Sequence, residues 1–344
     1  MKKSTIVYLV LIFSQLSVSA QNNQEVPYKL ADKISLEGDG GWDYLTVESS
    51  SARLFVSHST MVQVVDLKTH KLAGTISGTN GVHGIALSPA LNKGFVSDGR
   101  DSSVTVFDLK TLKVTGKIRV TGRNPDAILY DPFSKRVFTC NGGSSNITAI
   151  DAETGKVIGT IPLSGRPEFS VTDGKGKIWV NIEDKSRIAQ VNPVTLKVER
   201  EWSILPGEEP SGLAIDIDND RLFSVCRNKL MVVSDAKAGK VITSLPIGGF
   251  VDGAAFDPVK KLAFASSGMG MLTIVKENDK NDFVVLGTLN TQMGARTITL
   301  DNVTHHLYLP TASYETQSGS GNSQRRYRQP IKPNSFVVLD IAPQ

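Results

Sequence analysis

The chain has 344 residues, of which 40% are hydrophobic and 21% are charged. This balance excludes an intrinsically disordered chain and a membrane protein with many spans. The formal net charge of +4 does not by itself indicate nucleic-acid binding, and two cysteines are too few for a disulfide scaffold.

The first twenty residues have the pattern of an export signal. Lys2 and Lys3 precede an apolar run over 6–13, and small residues at 18–20 form a cleavage pattern. Residues 1–20 are therefore predicted to be a secretory signal peptide that directs the protein to the periplasm or the extracellular space. The apolar run is too short for a membrane helix, so we expect no membrane span in the mature chain.

An internal repeat follows. Seven eight-residue segments align without a gap at intervals of 40–44 residues. They begin at Trp42, Val82, Pro125, Pro167, Pro210, Val251 and Ala295. Short segments with strand character follow each of them, and no stretch shows helical periodicity. Four strands per repeat predict an all-β fold, a seven-bladed β-propeller with four-stranded antiparallel blades.

The last repeat lacks its own fourth strand, and the segment from Tyr28 matches the fourth strand of the other repeats. The N-terminal strand is therefore predicted to close the ring, which removes exposed sheet edges. Residues 21–344 then form one domain, expected to be a monomer, with an insertion at 314–335 in the last blade. Cys140 and Cys226 fall two repeats apart, so we expect both thiols to be free.

The repeats resemble those of the YVTN β-propeller family, which includes the YncE-like exported bacterial proteins. The resemblance rests on 123–165, RNPDAILYDPFSKRVFTCNGGSSNITAIDAETGKVIGTIPLSG, and its six relatives, and it covers essentially the whole mature chain. The literal tetrapeptide is absent, and FVSH at 55–58 and WVN at 179–181 occupy its place. The resemblance implies an exported propeller, and the YncE-like proteins imply binding of single-stranded DNA.

The topology also places candidate site residues. Because the inner strands all start at one face, the second residue of each repeat is expected to line the mouth of the central channel. These residues are Asp43, His83, Asp126, Glu168, Ser211, Asp252 and Arg296. His58 and Asp98 end second strands nearby, and Arg325, Arg326 and Arg328 lie in the insertion, which is predicted to hang over the mouth as a lid. Convergent polar groups around a concavity predict a binding site.

Several functions fit this pattern. The first is a binding protein for a small ligand or an exported protein partner, with no catalytic residue assigned. The second is a metal-dependent hydrolase of the lactonase type, in which Asp43, Asp126, Glu168 and Asp252 hold Ca²⁺ or another divalent cation. The arginines at the same face would suit an anionic ligand or single-stranded nucleic acid, and a channel without any ligand also remains open.

Overall fold

The computed structural model describes residues 26–315 and 330–344. The predicted signal peptide at 1–20 and the insertion residues Arg325, Arg326 and Arg328 lie outside the described residues. The described chain forms 28 strands in seven four-stranded antiparallel sheets, together with three short 3-10 turns. No helix in this part of the chain is both long and apolar enough to cross a membrane.

Blades 1 to 4 each use four consecutive strands. Blade 1 contains β2 (Trp42–Glu48), β3 (Arg53–His58), β4 (Met61–Asp66) and β5 (Lys71–Ser77). Blade 2 contains β6 (Val82–Ser88), β7 (Lys93–Asp98), β8 (Ser103–Asp108) and β9 (Val114–Arg119). Blade 3 contains β10 (Pro125–Asp131), β11 (Arg136–Asn141), β12 (Asn146–Asp151) and β13 (Val157–Pro162). Blade 4 contains β14 (Pro167–Thr172), β15 (Ile178–Ile182), β16 (Arg187–Asn192) and β17 (Lys197–Ser203).

Blades 5 and 6 follow the same order, and blade 7 combines both ends of the described chain. Blade 5 contains β18 (Pro210–Asp216), β19 (Arg221–Cys226), β20 (Leu230–Asp235) and β21 (Lys240–Pro246). Blade 6 contains β22 (Val251–Asp257), β23 (Leu262–Ser267), β24 (Met271–Asp279) and β25 (Asp282–Asn290). Blade 7 contains β26 (Thr299–Leu300), β27 (Leu307–Thr311), β28 (Val337–Pro343) and β1 (Tyr28–Ser35).

The N-terminal strand closes the ring as the repeats predict. β1 pairs antiparallel with β28 from Tyr28 opposite Pro343 to Ser35 opposite Val337. Tyr28 is fully buried, and its ring meets Phe264 of blade 6 edge to face with centroids 5.1 Å apart. The prediction of seven blades and a closing strand is confirmed.

The core lies between the blades. Phe55 of blade 1 packs on Phe107 of blade 2, and Phe223 of blade 5 stacks on Phe256 of blade 6 with centroids 5.0 Å apart. Each blade therefore buries one face against each neighbour, so the ring is stabilised as a whole. Cys140 and Cys226 are both free and buried in these layers, and burial raises the pKa of each thiol to about 12.

The seventh residue of several repeats also joins neighbouring blades. The Thr172 hydroxyl donates to Asp131 at 2.6 Å, and Lys261 donates to Asp216 at 3.2 Å. His305 Nδ1 lies 2.7 Å from Asp257 Oδ2 in the same way. In each pair the carboxylate ends one inner strand and its partner belongs to the next blade. An aspartate at this position therefore ends the strand and also fixes the adjacent blade.

Candidate functional site

The second residue of each repeat lies on a distortion of the inner strand. In blade 1 the pairing passes from Trp42 opposite His58 to Leu45 opposite Val56, so two residues of β2 face one residue of β3. The inner strands of blades 2 to 6 show register shifts at the same place. Such bulges redirect a side chain away from the pleat. They therefore place the second-position side chains at the channel end of the inner strands.

Hydrogen bonds between blades hold these bulges. Ser97 of blade 2 donates to the carbonyl oxygen of Asp126 in blade 3, and Ser266 of blade 6 donates to that of Arg296 in blade 7. Asn181 of blade 4 donates to the carbonyl oxygen of Ser211 in blade 5 at 2.8 Å. The backbone at the second position is thus fixed by the preceding blade, which keeps the second-position side chains in register around the ring.

Five of the second-position side chains form one chain of ion pairs. Arg296 donates from Nε to Asp252 at 2.8 Å, and its Nη2 lies 3.4 Å from Asp43 Oδ1. His83 Nδ1 lies 2.6 Å from Asp43 Oδ2 and 3.6 Å from Asp126 Oδ1. Residues from blades 6, 7, 1, 2 and 3 therefore meet, although up to 253 positions separate them along the chain.

The remaining two second-position residues, Glu168 and Ser211, line a cavity beside this chain of ion pairs. The cavity has a volume of about 230 Å³ and lies between blades 4, 5, 6 and 7. Its walls are Glu168, Glu183, Glu209, Ser211, Arg227, Phe250, Val251, Asp252 and Arg296. Four acidic and two basic side chains thus face one space that could hold about eight water molecules.

Aromatic residues cross the channel beside the polar groups. Tyr44 of blade 1 is buried, and its ring packs on Phe169 of blade 4 with centroids 5.1 Å apart. Burial, followed by the nearby negative charges of Asp252 and Asp126, raises the pKa of the Tyr44 hydroxyl well above its usual value. The second-position side chains therefore lie beside an aromatic contact that joins blades on opposite sides of the ring.

Among the second-position residues, together called the polar layer, several have shifted pKa values because ionisable groups are buried close together. Burial and the charges of Asp126 and Asp252 raise the pKa of Glu168 to about 10. Burial likewise raises the pKa of Asp126 to about 7 and that of Asp252 to about 6. Burial lowers the pKa of His83, but the hydrogen bond and charge of Asp43 and the charge of Asp126 outweigh it, and the value is about 9. The layer therefore holds protons that isolated carboxylates release at neutral pH.

Two predicted site residues lie elsewhere. His58 is fully buried, stacks on Phe336 at 4.0 Å and pairs through Nδ1 with Gln63 Oε1 at 2.8 Å. Asp98 is also fully buried and accepts a hydrogen bond from Thr105 at 2.6 Å. Both side chains bond to the third strand of their own blade, so they hold that hairpin together and do not line the cavity.

Glu183, Glu209 and Tyr44 are absent from the site set that the repeats predict. Glu183 and Glu209 each pair with an arginine, Arg166 at 2.6 Å and Arg227 at 2.9 Å. Glu183 begins a short 3-10 helix (Glu183–Lys185) and Glu209 lies in a loop, so both lie between strands, where the alignment of the inner strands gives no signal. Tyr44 is the third residue of its repeat, a position that carries small or apolar residues in several other blades, and this contrast could have identified it.

The stem of the insertion in blade 7 stands near this layer. Tyr314 forms an antiparallel bridge with Ile331, and the Glu315 amide donates to the Pro330 carbonyl oxygen at 2.9 Å. The Tyr314 ring lies 6.4 Å from that of Trp42, at the start of the inner strand of blade 1. The insertion therefore leaves the blade beside the channel end that carries the ion pairs.

Neither a family model nor a curated protein matches the chain. Among solved structures, hydrazine synthase of Kuenenia stuttgartiensis is similar, with a TM-score of 0.72 at 17% identity. The match covers 88% of this chain and 97% of that chain. At this identity the likeness shows the fold alone, and it agrees with the seven sheets: the protein is a seven-bladed β-propeller.

Proposed function

We propose that the protein is an exported binding protein of the YVTN type that takes a small ligand in the cavity at the channel mouth. The sequence pattern of 1–20 supports export, and the repeats over 123–165 support the family. The binding role is supported by the cavity of about 230 Å³, whose walls come from four blades. Its polar groups converge from distant parts of the chain, which is the usual arrangement of a small-molecule site.

The observation that carries this proposal is the position of Glu168. Its carboxylate faces the cavity, and it has neither a hydrogen bond nor an ion pair among the residues that the structure describes. Because burial and the neighbouring carboxylates raise the pKa of Glu168 to about 10, this carboxyl is neutral at neutral pH, and a part-buried polar group without a hydrogen-bond partner is costly unless another group satisfies it. A bound ligand is the natural partner for such a group.

The test is a thermal-shift screen of the mature protein against small molecules of both charges and of none. A ligand of this site should raise Tm in the native protein and lose most of that effect in Glu168→Gln and Ser211→Ala. Glu153→Gln, an exposed site in blade 3, is the matched control and should respond like the native protein. Ligands whose shifts are equal in all variants would reject the cavity as the binding site.

A metal-dependent hydrolase is the second candidate, because one group of side chains could hold an ion. Single ligand atoms of Asp43, His83 and Asp126 lie within 4.8 Å of one another. One imidazole nitrogen and two carboxylates suit zinc or a similar cation, which would activate water for hydrolysis. Arg296 already forms ion pairs with Asp252 and Asp43. A metal site is therefore less well formed by the four predicted carboxylates, Asp43, Asp126, Glu168 and Asp252.

Metal analysis separates this candidate from simple binding. The hydrolase requires a near-stoichiometric ion in the purified protein, loss of that ion in His83→Ala, and activity on an ester or lactone that returns with the metal. Binding of single-stranded DNA, which the resemblance implies, finds little support in the described cavity, because its surplus of carboxylates repels phosphate. Oligonucleotide binding that weakens steeply with salt would restore that alternative.

A further inference from the structure

Acidic side chains outnumber basic ones around the cavity. Four carboxylates and two guanidinium groups line it, and each guanidinium group is already paired. Arg227 holds Glu209 at 2.9 Å, and Arg296 holds Asp252 at 2.8 Å. An anion bound to either arginine would therefore share it with a carboxylate that is already in place.

The same imbalance continues into the neighbouring ion pairs. Asp43 and Asp126 face the single imidazole of His83, and Asp126 Oδ1 is buried without a hydrogen-bond donor. Arg166 pairs with Glu183 at 2.6 Å, and no ion pair joins Glu168 to a cation among the residues that the structure describes. The surplus of acidic groups therefore includes Glu168, which holds a proton at neutral pH in place of a cationic partner.

We infer that the ligand is a small organic cation, such as a primary amine with a short aliphatic body, whose ammonium group pairs with Glu168. Phe250 and Val251 also line the cavity and supply an aromatic and an apolar surface, which suits the body of such a molecule. Ser211 also lines the cavity, and its hydroxyl donates to the Val251 carbonyl oxygen at 3.0 Å. This inference rests on the proposed binding function and specifies its ligand.

The size of the cavity favours an organic cation over a bare metal ion. A divalent ion needs ligand oxygens at 2.0–2.6 Å and no free volume beyond them. A space of about 230 Å³ lined partly by apolar side chains would leave most of its wall without contact around such an ion. An ammonium group on a carbon body satisfies both the carboxylates and the apolar wall.

Proton release gives an independent signature. Glu168 holds its proton at neutral pH because burial and neighbouring carboxylates raise its pKa to about 10. The groups that face it are Asp43, Asp126, Asp252, Glu183, Glu209, Arg227 and Arg296. An ammonium group that pairs with the ionised carboxylate must displace this proton, so affinity should rise with pH between 6 and 9.

The experiment is isothermal titration calorimetry of the mature protein with n-butylammonium and 1,4-diaminobutane at pH 8, in two buffers with different ionisation enthalpies. We expect millimolar or tighter binding, a heat that depends on the buffer because a proton is released, and at least a tenfold loss of affinity in Glu168→Gln. Glu153→Gln should bind as the native protein does. Titrations with butyrate and phosphate test whether the site binds an anion, and titrations with Ca²⁺ and Zn²⁺ test whether it binds a metal ion.

The outcomes separate the inference from the function on which it rests. Binding of butyrate or phosphate that is lost in Glu168→Gln or Ser211→Ala would overturn the cationic ligand and leave a binding protein. Binding of Zn²⁺ alone, lost in His83→Ala, would overturn it in favour of the hydrolase. Amine binding that survives Glu168→Gln, or no amine binding at millimolar concentrations, would also overturn it, whereas the thermal-shift screen decides the binding function by itself.

Discussion

Arg296 of blade 7 donates a hydrogen bond from Nη2 to the carbonyl oxygen of Trp42 in blade 1, at 2.9 Å across 254 positions of the chain. The same guanidinium group neutralises Asp252 of blade 6 and approaches Asp43 of blade 1. One side chain therefore joins the last blade to the first and also sets the charge of the candidate site. The contact that closes the ring therefore also fixes the charge of the candidate site.

Replacement of this arginine should be costly. Arg296→Gln leaves Asp252 and Asp43 without their cation in a largely buried layer, and the expected loss of unfolding free energy is about 3–5 kcal/mol at pH 8. The loss should shrink at pH 5, because Asp252 has a pKa of about 6 and is then mostly protonated. Urea denaturation at both pH values measures it. The Arg227 side chain is 68% exposed, so Arg227→Gln should lower the unfolding free energy by less than about 1 kcal/mol. Equal effects of the two variants would contradict the role of Arg296 in neutralising the buried aspartates.

The hydrogen bonds that hold the bulges make a second prediction. Asn181 is fully buried, donates to the carbonyl oxygens of Ser211 and Gly212, and accepts from the Ser224 hydroxyl. Asn181→Ala leaves these groups unsatisfied and should lower the unfolding free energy by about 2–4 kcal/mol. Chemical denaturation tests this, with the exposed Asn80→Ala as the control. A loss as small as that of the control would show that the bulge does not depend on Asn181.

Much of this fold can be predicted from local sequence signals. The alternation of strands and turns repeats seven times, and the segment from Tyr28 completes the only blade that lacks a fourth strand. The set of second-position residues follows from the topology alone, because a propeller arranges the inner strands of all its blades around one central channel. Side-chain chemistry does not enter either argument.

The partners of the polar side chains could not be predicted in the same way. His58 and Asp98 end second strands in equivalent positions, and both turn into their own blade because an acceptor or a hydroxyl stands opposite in the third strand. The spacing to those partners, five residues to Gln63 and seven to Thr105, is visible in the sequence once the hairpin is known. Contacts such as that of Arg296 with Asp43 depend on the geometry of the bulges, and no local pattern in the amino-acid sequence indicates that geometry.

The closing strand gives a third prediction. Tyr28 is fully buried between blades 6 and 7, so Tyr28→Ala should remove about 3–5 kcal/mol of stability by leaving a cavity at the point of closure. Leu30 lies in the same strand but is 42% exposed, and Leu30→Ala should cost less than about 1 kcal/mol. Thermal and urea unfolding of both variants measure the difference. Similar small losses would mean that β1 contributes little to closing the ring.

The last prediction concerns pH. Glu168 has a folded-state pKa of about 10, raised by burial and by Asp126 and Asp252 from an ordinary value near 4.5. Between these values the folded protein keeps a proton that the unfolded chain has released, so this group makes stability fall as pH rises. His83, whose pKa is raised to about 9, acts in the same direction between about pH 6.5 and 9.

Glu168→Gln removes the larger of these two contributions, because glutamine is neutral at every pH. The variant should therefore be more stable than the native protein by about 2 kcal/mol at pH 8, and the difference should vanish below about pH 4, where both states of the native carboxyl are protonated. Urea denaturation from pH 4 to 9 measures this slope, with Glu153→Gln as the exposed control. A variant that is less stable than the native protein at pH 8 would show that the Glu168 carboxyl already has a partner within the protein, and it would then not be available to pair with an ammonium group.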